Sequence, residues 1–390
     1  MGKLWDAVVI GAGIAGSSLA KRLADRGWST MLLDRDTFPR IKVCGEFLSP
    51  ESQAMLEELG LYGTVRSLEP STISTARLVA RHGKIVDVPL PGIAWGISRY
   101  SLDAALLDSA RRAGAELSTG TTVIGVRQAG MYYEVETRRG GQQELLQART
   151  VFAAWGGRRR RGLLPDDLSQ TDAPNRTPGK GRTTYVGIKC HLTGMRPVSA
   201  VELYVCAGGY VGLNSVENGV VNAAALFTKD SVHGLGSAVP VILEAAARSN
   251  PILAGRLTPA EPAEGTEAAL APVTLSDRPQ PWQTIPHLGD AAVVVPPLCG
   301  DGMSMALRSV LLCEPLTDQY LRGRLSLQKW QQQYTAAVLA EFTGPLRWGR
   351  LTHALCFAPI AGRLAWAAAR MAPGLASMLV RATRLRESSR

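Results

Sequence analysis

The chain has 390 residues, enough for two domains or one elaborated domain, and its 46% hydrophobic content suits a globular protein with a sizeable core. Its formal charge is +10 and its pI about 9.5, but the excess is local, in one run at Arg158-Arg159-Arg160-Arg161 and in single arginines from Arg347 to Arg390. Neither stretch is interleaved with aromatic residues as a base-stacking surface would be, so no nucleic-acid partner is expected; the charge reads as solvated surface or as attraction to an anionic membrane face. Residues 7–10 are apolar and predict a buried strand. The run breaks at Gly11-Ala12-Gly13-Ile14-Ala15-Gly16 and resumes as a helix over 17–26, with Leu19, Ala20 and Leu23 on one face. A second apolar strand, 30–33, ends in Asp34. Strand, GxGxxG, helix, strand and acid in this order form a dinucleotide site. Gly11 permits the tight turn, Gly13 lets the backbone approach a pyrophosphate, and Gly16 lets helix pack on strand. The helix N-terminus faces the phosphates, and Asp34 takes ribose hydroxyls.

After a linking region over 35–45, the pattern predicts a helix over 50–61, strands at 75–80 and 84–89, and a helix from Arg99 to Gly114 with Leu102, Leu106, Leu107 and Ala110 as its stripe. Segments 115–117, 121–127, 132–137 and 143–148 alternate as a strand and hairpin series, and 150–154 return as a buried strand. Residues 162–182 read as a loop. From 183 to 226, strand patterns separated by turns at Gly194, Gly208-Gly209 and Asn218-Gly219 predict an antiparallel sheet, followed by a helix over 239–248 and an Ala/Pro/Glu-rich loop over 258–270. Dinucleotide-type sequence resumes at 285–295, with a strand ending at 293–295 and a helix over 303–320. Residues 346–385 alternate apolar blocks with single arginines and the breaks Pro359 and Pro373. This predicts short amphipathic helices, serving as a lid or lying basic side outward on a membrane.

The six cysteines, Cys44, Cys190, Cys206, Cys299, Cys313 and Cys356, are scattered with no CxxC pair. No metal is expected, and a reducing cytoplasm is the expected compartment. The strand pattern begins almost at once and no apolar span reaches bilayer length. Neither a secretory leader nor a membrane span is therefore expected, and peripheral membrane contact stays open.

Read together, the motifs resemble the FAD-dependent oxidoreductases of the p-hydroxybenzoate-hydroxylase fold, in their geranylgeranyl-reductase-like branch. Three segments carry the likeness: the GxGxxG unit with Asp34; Pro39-Arg40-Ile41-Lys42-Val43-Cys44-Gly45-Glu46-Phe47-Leu48-Ser49-Pro50; and Gly289-Asp290 with Pro296-Pro297-Leu298-Cys299-Gly300-Asp301-Gly302-Met303. The resemblance implies an α/β fold, with a Rossmann-type FAD-binding domain (1–160 and 280–325), an inserted antiparallel β-sheet substrate domain (70–95 and 161–279) and a helical C-terminal cap (326–390). FAD would lie between the first two. Its implied contacts are Gly11, Gly13, Gly16, Asp34, Arg35, Cys44, Arg99, Val123, Asp290, Gly300, Gly302 and Met303. Cys44 would sit near the isoalloxazine, with Glu46 as an acid beside it. Tyr210, with Tyr204, would line the pocket over the flavin. Structural roles stay open for Cys44 and both tyrosines, while His191 reads as structural and Glu217 and Asn218 as a hairpin turn.

Activity follows the same logic. A flavin monooxygenase tailoring a hydrophobic polyketide, phenolic or isoprenoid leads. A double-bond reductase using Cys44-Gly45-Glu46 is the alternative, with a flavin halogenase or a redox-silent binder or cyclase further behind. Ala154-Trp155-Gly156-Gly157 lacks the acid that resembling enzymes carry at this turn. The electron source therefore stays open between NADPH and a separate flavin reductase or electron-transfer partner, which Arg158 to Arg161 would attract.

Overall fold

A computed structural model describes residues 3–157, 162–164, 183–236, 238–357 and 384–385. The dinucleotide unit opens the chain as β1 (Leu4–Ile10), α1 (Ile14–Asp25) and β2 (Thr30–Leu33). Next come β3 (Phe47–Leu48), α2 (Ser52–Glu58), α3 (Tyr62–Arg66), β4 (Ser71–Val79), β5 (Ile85–Gly96) and α4 (Arg99–Arg112). The helix expected over 50–61 is shorter, ending at Glu58, and α3 is a separate helix beyond it, the two parted at Leu59-Gly60-Leu61, where Gly60 takes φ +66°. β6 (Glu116–Ser118), β7 (Thr122–Ala129), β8 (Tyr132–Arg139) and β9 (Gln142–Ala153) follow, β9 joining two stretches expected to be separate.

These elements build a sheet in the order β6-β2-β1-β9-β8-β7. β1 pairs in parallel with β2 and β9, and the β7-β8-β9 meander is antiparallel. β1 is apolar on both faces because both are covered. Ala7 and Val9 enter the core that holds α1 and α4, while Val8 and Ile10 pack with Val123, Val126 and Val135.

The second sheet begins with β4 and β5 and continues after residue 183 with β10 (Tyr185–Thr193), β11 (Ala200–Cys206), β12 (Gly209–Ser215) and β13 (Val221–Thr228). α5 (Val239–Ser249) and α6 (Pro251–Leu257) pack on its outer face, and Asn250 caps α6 through Ile252 N–H and Leu253 N–H. The stretch expected as a loop over 258–270 contains β14 (Glu261–Pro262) and the start of β15 (Ala268–Val273), both pairing with β10. Their prolines are tolerated because both strands lie at the sheet margin. The sheet order is β14-β10-β13-β12-β11-β4-β5-β3, with β15 also on β10. The parallel pairing of β4 with β11 splices the 71–96 hairpin onto the later meander.

β16 (Trp282–Gln283) and β17 (Ile285–Pro286) lead back to the first sheet. No strand forms at 293–295. Val293 and Val295 are buried core residues in irregular chain, preceded by a 3-10 turn at Gly289–Ala291. α7 (Gly302–Leu321) and α8 (Leu327–Phe357) complete the described chain. Trp330, Tyr334, Val338, Phe342 and Leu346 recur every fourth residue along α8, and all sit in the same core as α1 and β1. The first half of α8 is therefore integral to the FAD-side layer, a difference from the cap expected to begin at 326. α8 continues through Pro345 to Phe357 where short helices were expected. The remainder of that expectation, 358–383, lies outside the described residues. No helix among the described residues is long and apolar enough to cross a membrane.

Burial holds the imidazoles of His287 and His353 down at about 4, against an ordinary value of 6.5. Between those values the unfolded chain binds protons that the folded chain refuses, so stability is complete above pH 6.5 and lost as pH falls toward 4. For His287 the difference is worth about 3 kcal/mol. The melting temperature is expected to be flat above neutrality and to fall below pH 6.5, and His287→Leu should flatten part of that fall. An unchanged acid limb in the variant would remove His287 from the account.

Candidate cofactor and substrate cavity

Each glycine of the GxGxxG turn meets a different obstacle. Gly11 takes φ +105°, and a Cβ there would lie 2.4 Å from the Ala154 carbonyl oxygen; one on Gly16 would lie 1.8 Å from the Gly11 oxygen. These two hold helix, turn and sheet in contact, and Gly16 is set back from the cavity. Gly13 is different. The atoms nearest its imagined Cβ are Arg99 Nη2 at 3.5 Å, Arg40 Nη2 at 3.7 Å and Lys42 Nζ at 4.0 Å. Three cations thus converge on the α1 N-terminus, where Gly13, Ile14 and Ala15 line a large cavity. Burial and the neighbouring Arg99 hold Lys42 below its ordinary pKa, a cost that a bound anion would offset. Open helix N–H groups and this cation cluster fit a pyrophosphate.

Asp34 closes the other side of the turn. Its Oδ2 accepts from Ala12 N at 2.7 Å, and its Oδ1 from Asp36 N at 2.9 Å and Arg40 Nη1 at 3.0 Å. Oδ2 therefore retains capacity for one more donor such as a ribose hydroxyl. Arg35 sits at the cavity rim, its half-exposed guanidinium 3.4 Å from Asp36. Arg99, buried at the start of α4, donates to both oxygens of Asp103 at 2.7 and 2.8 Å. Burial works against its charge and Asp103 more than restores it, so its pKa lies above the ordinary value. Arg40 also reaches Asp103, at 3.6 Å.

Val123, Trp155, Asp290, Gly300, Gly302 and Met303 also line the cavity. Gly300 takes φ +73°, and a Cβ there would lie 2.9 Å from the Phe47 ring. The chain can thus turn tightly into α7 and leave that helix's N-terminus open at the cavity. Such an N-terminus suits negative charge on a reduced flavin.

Cys44, Gly45 and Glu46 also line the cavity. Cys44 is half-buried, its Sγ accepting from Glu46 N at 3.4 Å. Glu46, expected as an acid beside the flavin, is instead enclosed by donors. Its Oε1 accepts from Arg99 N at 2.8 Å and Lys189 Nζ at 2.5 Å, and its Oε2 lies 2.7 Å from His191 Nε2. Strand alternation explains the grip. Lys189 and His191 share the β10 face of the cavity-lining Gly187, whereas Ile188, Cys190 and Leu192 enter the outer core. The same alternation separates the tyrosines. Tyr210 lines the cavity, but Tyr204 is buried in the outer core and does not. Glu217 does more than turn a hairpin. Its carboxylate accepts from Ser98 N at 2.8 Å, from Ser101 Oγ at 2.7 Å and from Ser98 Oγ, fastening the α4 N-terminus.

Arg40, Lys42, Asp103, Lys189, Asn214 and Asn222 were not singled out in the sequence. Arg40 and Lys42 stand inside the Pro39–Pro50 segment, where their charge was a usable signal. Lys189 and His191 betray themselves only as polar residues on alternate positions of an otherwise apolar strand. The run at 158–161 lies outside the described residues.

Gly13→Val is expected to abolish FAD retention by filling the place where three cations meet, and stoichiometric yellow protein would overturn that placement. Asp34→Ala should weaken FAD binding by about 1–3 kcal/mol, measured by fluorescence titration, since it removes a hydroxyl partner and frees Arg40. An unchanged dissociation constant would exclude Asp34 from the site.

The FAD binding domain family matches residues 5–165. The chain is 30% identical over 168 residues to a flavin-dependent monooxygenase of Mycobacteroides abscessus, covering 39% of this chain and 35% of that protein. It is 32% identical over 154 residues to a geranylgeranyl diphosphate reductase of Rhodobacter capsulatus, covering 39% and 37%. The matched stretches thus span little more than a third of these relatives. In three dimensions it superposes on the myxobacterial chondrochloren halogenase CndH with a TM-score of 0.72 at 22% identity, covering 85% and 78% of the two chains. Residues 5–165 thus match the FAD binding domain family, and the described residues share the fold of an FAD-dependent halogenase.

Proposed function

We propose that the protein is an FAD-dependent monooxygenase acting on an uncharged, hydrophobic small molecule. The carrying observation is how the cavity lining divides. Its charged side chains come from the FAD side, with Arg384 from the C-terminal segment, while the second sheet contributes none. That sheet's inner face presents Leu270, Gly187, Leu226, Tyr210, Leu203, Leu78 and Val86, one from each of seven adjacent strands. At about 4.8 Å between strands the apolar face runs roughly 29 Å across. A chamber of this kind accepts a long apolar chain and rejects a charged group, which would lose its hydration unpaired.

The cofactor would be held by the Gly13 cradle, Arg99, Arg40, Lys42, Asp34 and the α7 N-terminus. When bound it supplies the redox chemistry that no side chain can supply. The protein's share is to orient the substrate against the sheet and to keep water away from the reacting atoms. A reductase reading is favoured by Cys44, which lines the cavity beside Glu46. Reduction of a double bond must end with a proton delivered to carbon, however, and the carboxylate best placed for that is surrounded by donors. That argument puts oxygenation first. Halogenation is set behind both. No lysine stands among the sheet residues lining this chamber.

Incubation of the reduced holoenzyme with polyketide and isoprenoid lipids in air, read by product mass, separates the readings. Gain of one oxygen is expected. Gain of two hydrogens would establish the reductase, and replacement of hydrogen by halogen in bromide would establish the halogenase.

The electron source belongs to the same proposal. Trp155, Gly156 and Gly157 line the cavity without an acid, and Trp155 adds bulk against His287, their rings 5.5 Å apart. A separate flavin reductase or electron-transfer protein is the expected donor, with slow direct reduction by NADPH. Stopped-flow bleaching of the bound flavin tests this, and fast saturable bleaching by NADPH alone would overturn it.

A further inference from the structure

The most heavily constrained residue beside the cavity is Glu46. Its φ is +55°, a left-handed backbone conformation unusual for a residue with a side chain, and the side chain is fully buried. The surroundings hold it there from four directions. Ile97 N at 3.0 Å and Asn214 Nδ2 at 3.2 Å donate to its carbonyl oxygen. Arg99 N and Lys189 Nζ donate to Oε1, and His191 meets Oε2. Asn222 Nδ2 donates to the two preceding carbonyls, Cys44 O at 3.2 Å and Gly45 O at 3.0 Å. Lys189 and His191 stand on β10, Asn214 on β12 and Asn222 on β13, so the substrate-side sheet grips a turn belonging to the cofactor side.

This grip exceeds what burying a turn requires. Lys189 is completely buried, and burying an ammonium costs several kcal/mol unless a carboxylate meets it. An apolar residue at 189 would pack against the sheet without that cost. What the charged pair adds is a fixed distance and direction between β10 and Glu46, and hence a fixed place for Cys44 and Gly45. We propose that Glu46 is a positioning residue, and that its buried pair with Lys189 clamps the Cys44-Gly45 turn against the flavin so that the thiol and backbone face it in one arrangement. The proposal rests on reading the cavity as the flavin site, and its test measures FAD content separately.

The decisive variant is the double substitution Glu46→Gln with Lys189→Met, which removes both charges while nearly preserving volume. A purely structural ion pair predicts that this double variant behaves as the wild type, because neutral replacement of a buried pair is often harmless to stability. The clamp predicts a split: FAD content and melting temperature close to wild type, but an altered turn. In the holoenzyme, the iodoacetamide alkylation rate of Cys44, read by peptide mass spectrometry, should change by about tenfold, the rate effect of roughly 1.4 kcal/mol. Cys299, which lines the cavity from a different segment, is the internal control and should stay within about twofold. The visible absorption band of the bound flavin should shift in parallel. If the double variant does not fold, Asn222→Ala serves instead, since it releases the Cys44 and Gly45 carbonyls without uncovering a charge. It should change the Cys44 rate by about threefold, in keeping with the modest net worth of neutral hydrogen bonds. Wild-type alkylation and an unshifted flavin band in whichever variant folds overturn the clamp. Loss of FAD from a folded variant also overturns the clamp, which leaves cofactor binding intact, whereas full FAD retention by Gly13→Val would locate the fault in the flavin-site reading.

Discussion

The architecture depends on an exchange of buried carboxylates across the joint between the two sheets. Glu46 leaves the FAD side and is taken up by Lys189 and His191 of the second sheet. Glu217 leaves the second sheet and is taken up by Ser98 and Ser101 at the start of α4. Burial alone would raise the Glu217 pKa, but the donors around it overcome burial and hold it below the ordinary carboxylate value. The two carboxylates act across the same joint, because Arg99 N, one residue beyond Ser98, donates to Glu46. A hydrophobic contact at this joint would tolerate sliding. Charge-assisted hydrogen bonds have short optimal lengths and directions, so they set the spacing between the sheets as well as their cohesion.

That spacing matters because the cavity between the sheets has two incompatible jobs. Its FAD side must hold an anion, and it gathers Arg40, Lys42 and Arg99 around a helix N-terminus to do so. Its sheet side is smooth and uncharged over seven strands. A charged ligand on the sheet side would find no partner, and an apolar one on the FAD side would leave the α1 N-terminus and the buried Lys42 without an anion. The lining thus orients whatever enters before any specific contact forms. Small residues on the central strands, Gly187, Gly212 and Ala224, leave room above the sheet where larger ones would fill it.

Local chemistry made much of this legible. The GxGxxG turn, the strand before it and Asp34 could be read because each requirement (positive φ, close approach, an acid at the next strand end) is met within a few neighbours along the chain. The α7 N-terminus was legible for the same reason, since Pro297 and Gly300 force a turn wherever they stand. Glu46 was visible as a residue but the grip on its carboxylate was not, because Lys189 and His191 lie more than 140 residues away on β10 and Arg99 more than 50 away on α4. Only the pairing of β10 with β13 and β15 turns the Lys189 face inward. Tyr204 and Tyr210 show the same limit. Six residues and one hairpin apart, they fall on opposite faces because the register pairs Tyr210 with Val205. The missing strand at 293–295 has a simpler cause. Valines there satisfy the pattern of a buried strand, but Val293 and Val295 are buried in the core that holds the helices, and the chain between them bonds Ser276 across an irregular turn.

α8 carries this logic further. Its first half enters the FAD-side core through Trp330, which stacks on Tyr320 at 5.0 Å and meets Trp282 at 5.1 Å. Its second half places Thr352 and Leu355 at the cavity, beside Cys299 and Pro296, which approach Gly349 so closely that a Cβ there would lie 2.8 Å from the Cys299 sulfur. One helix thus anchors in the core at one end and walls the cavity at the other. The two halves are one helix that runs on through Pro345, where a single backbone N–H is missing. The wall is therefore registered to the same core that holds α1 and its cation cluster. Anion site, apolar sheet and wall are in this way referred to one rigid frame, and the carboxylate joint keeps the second sheet in register with it.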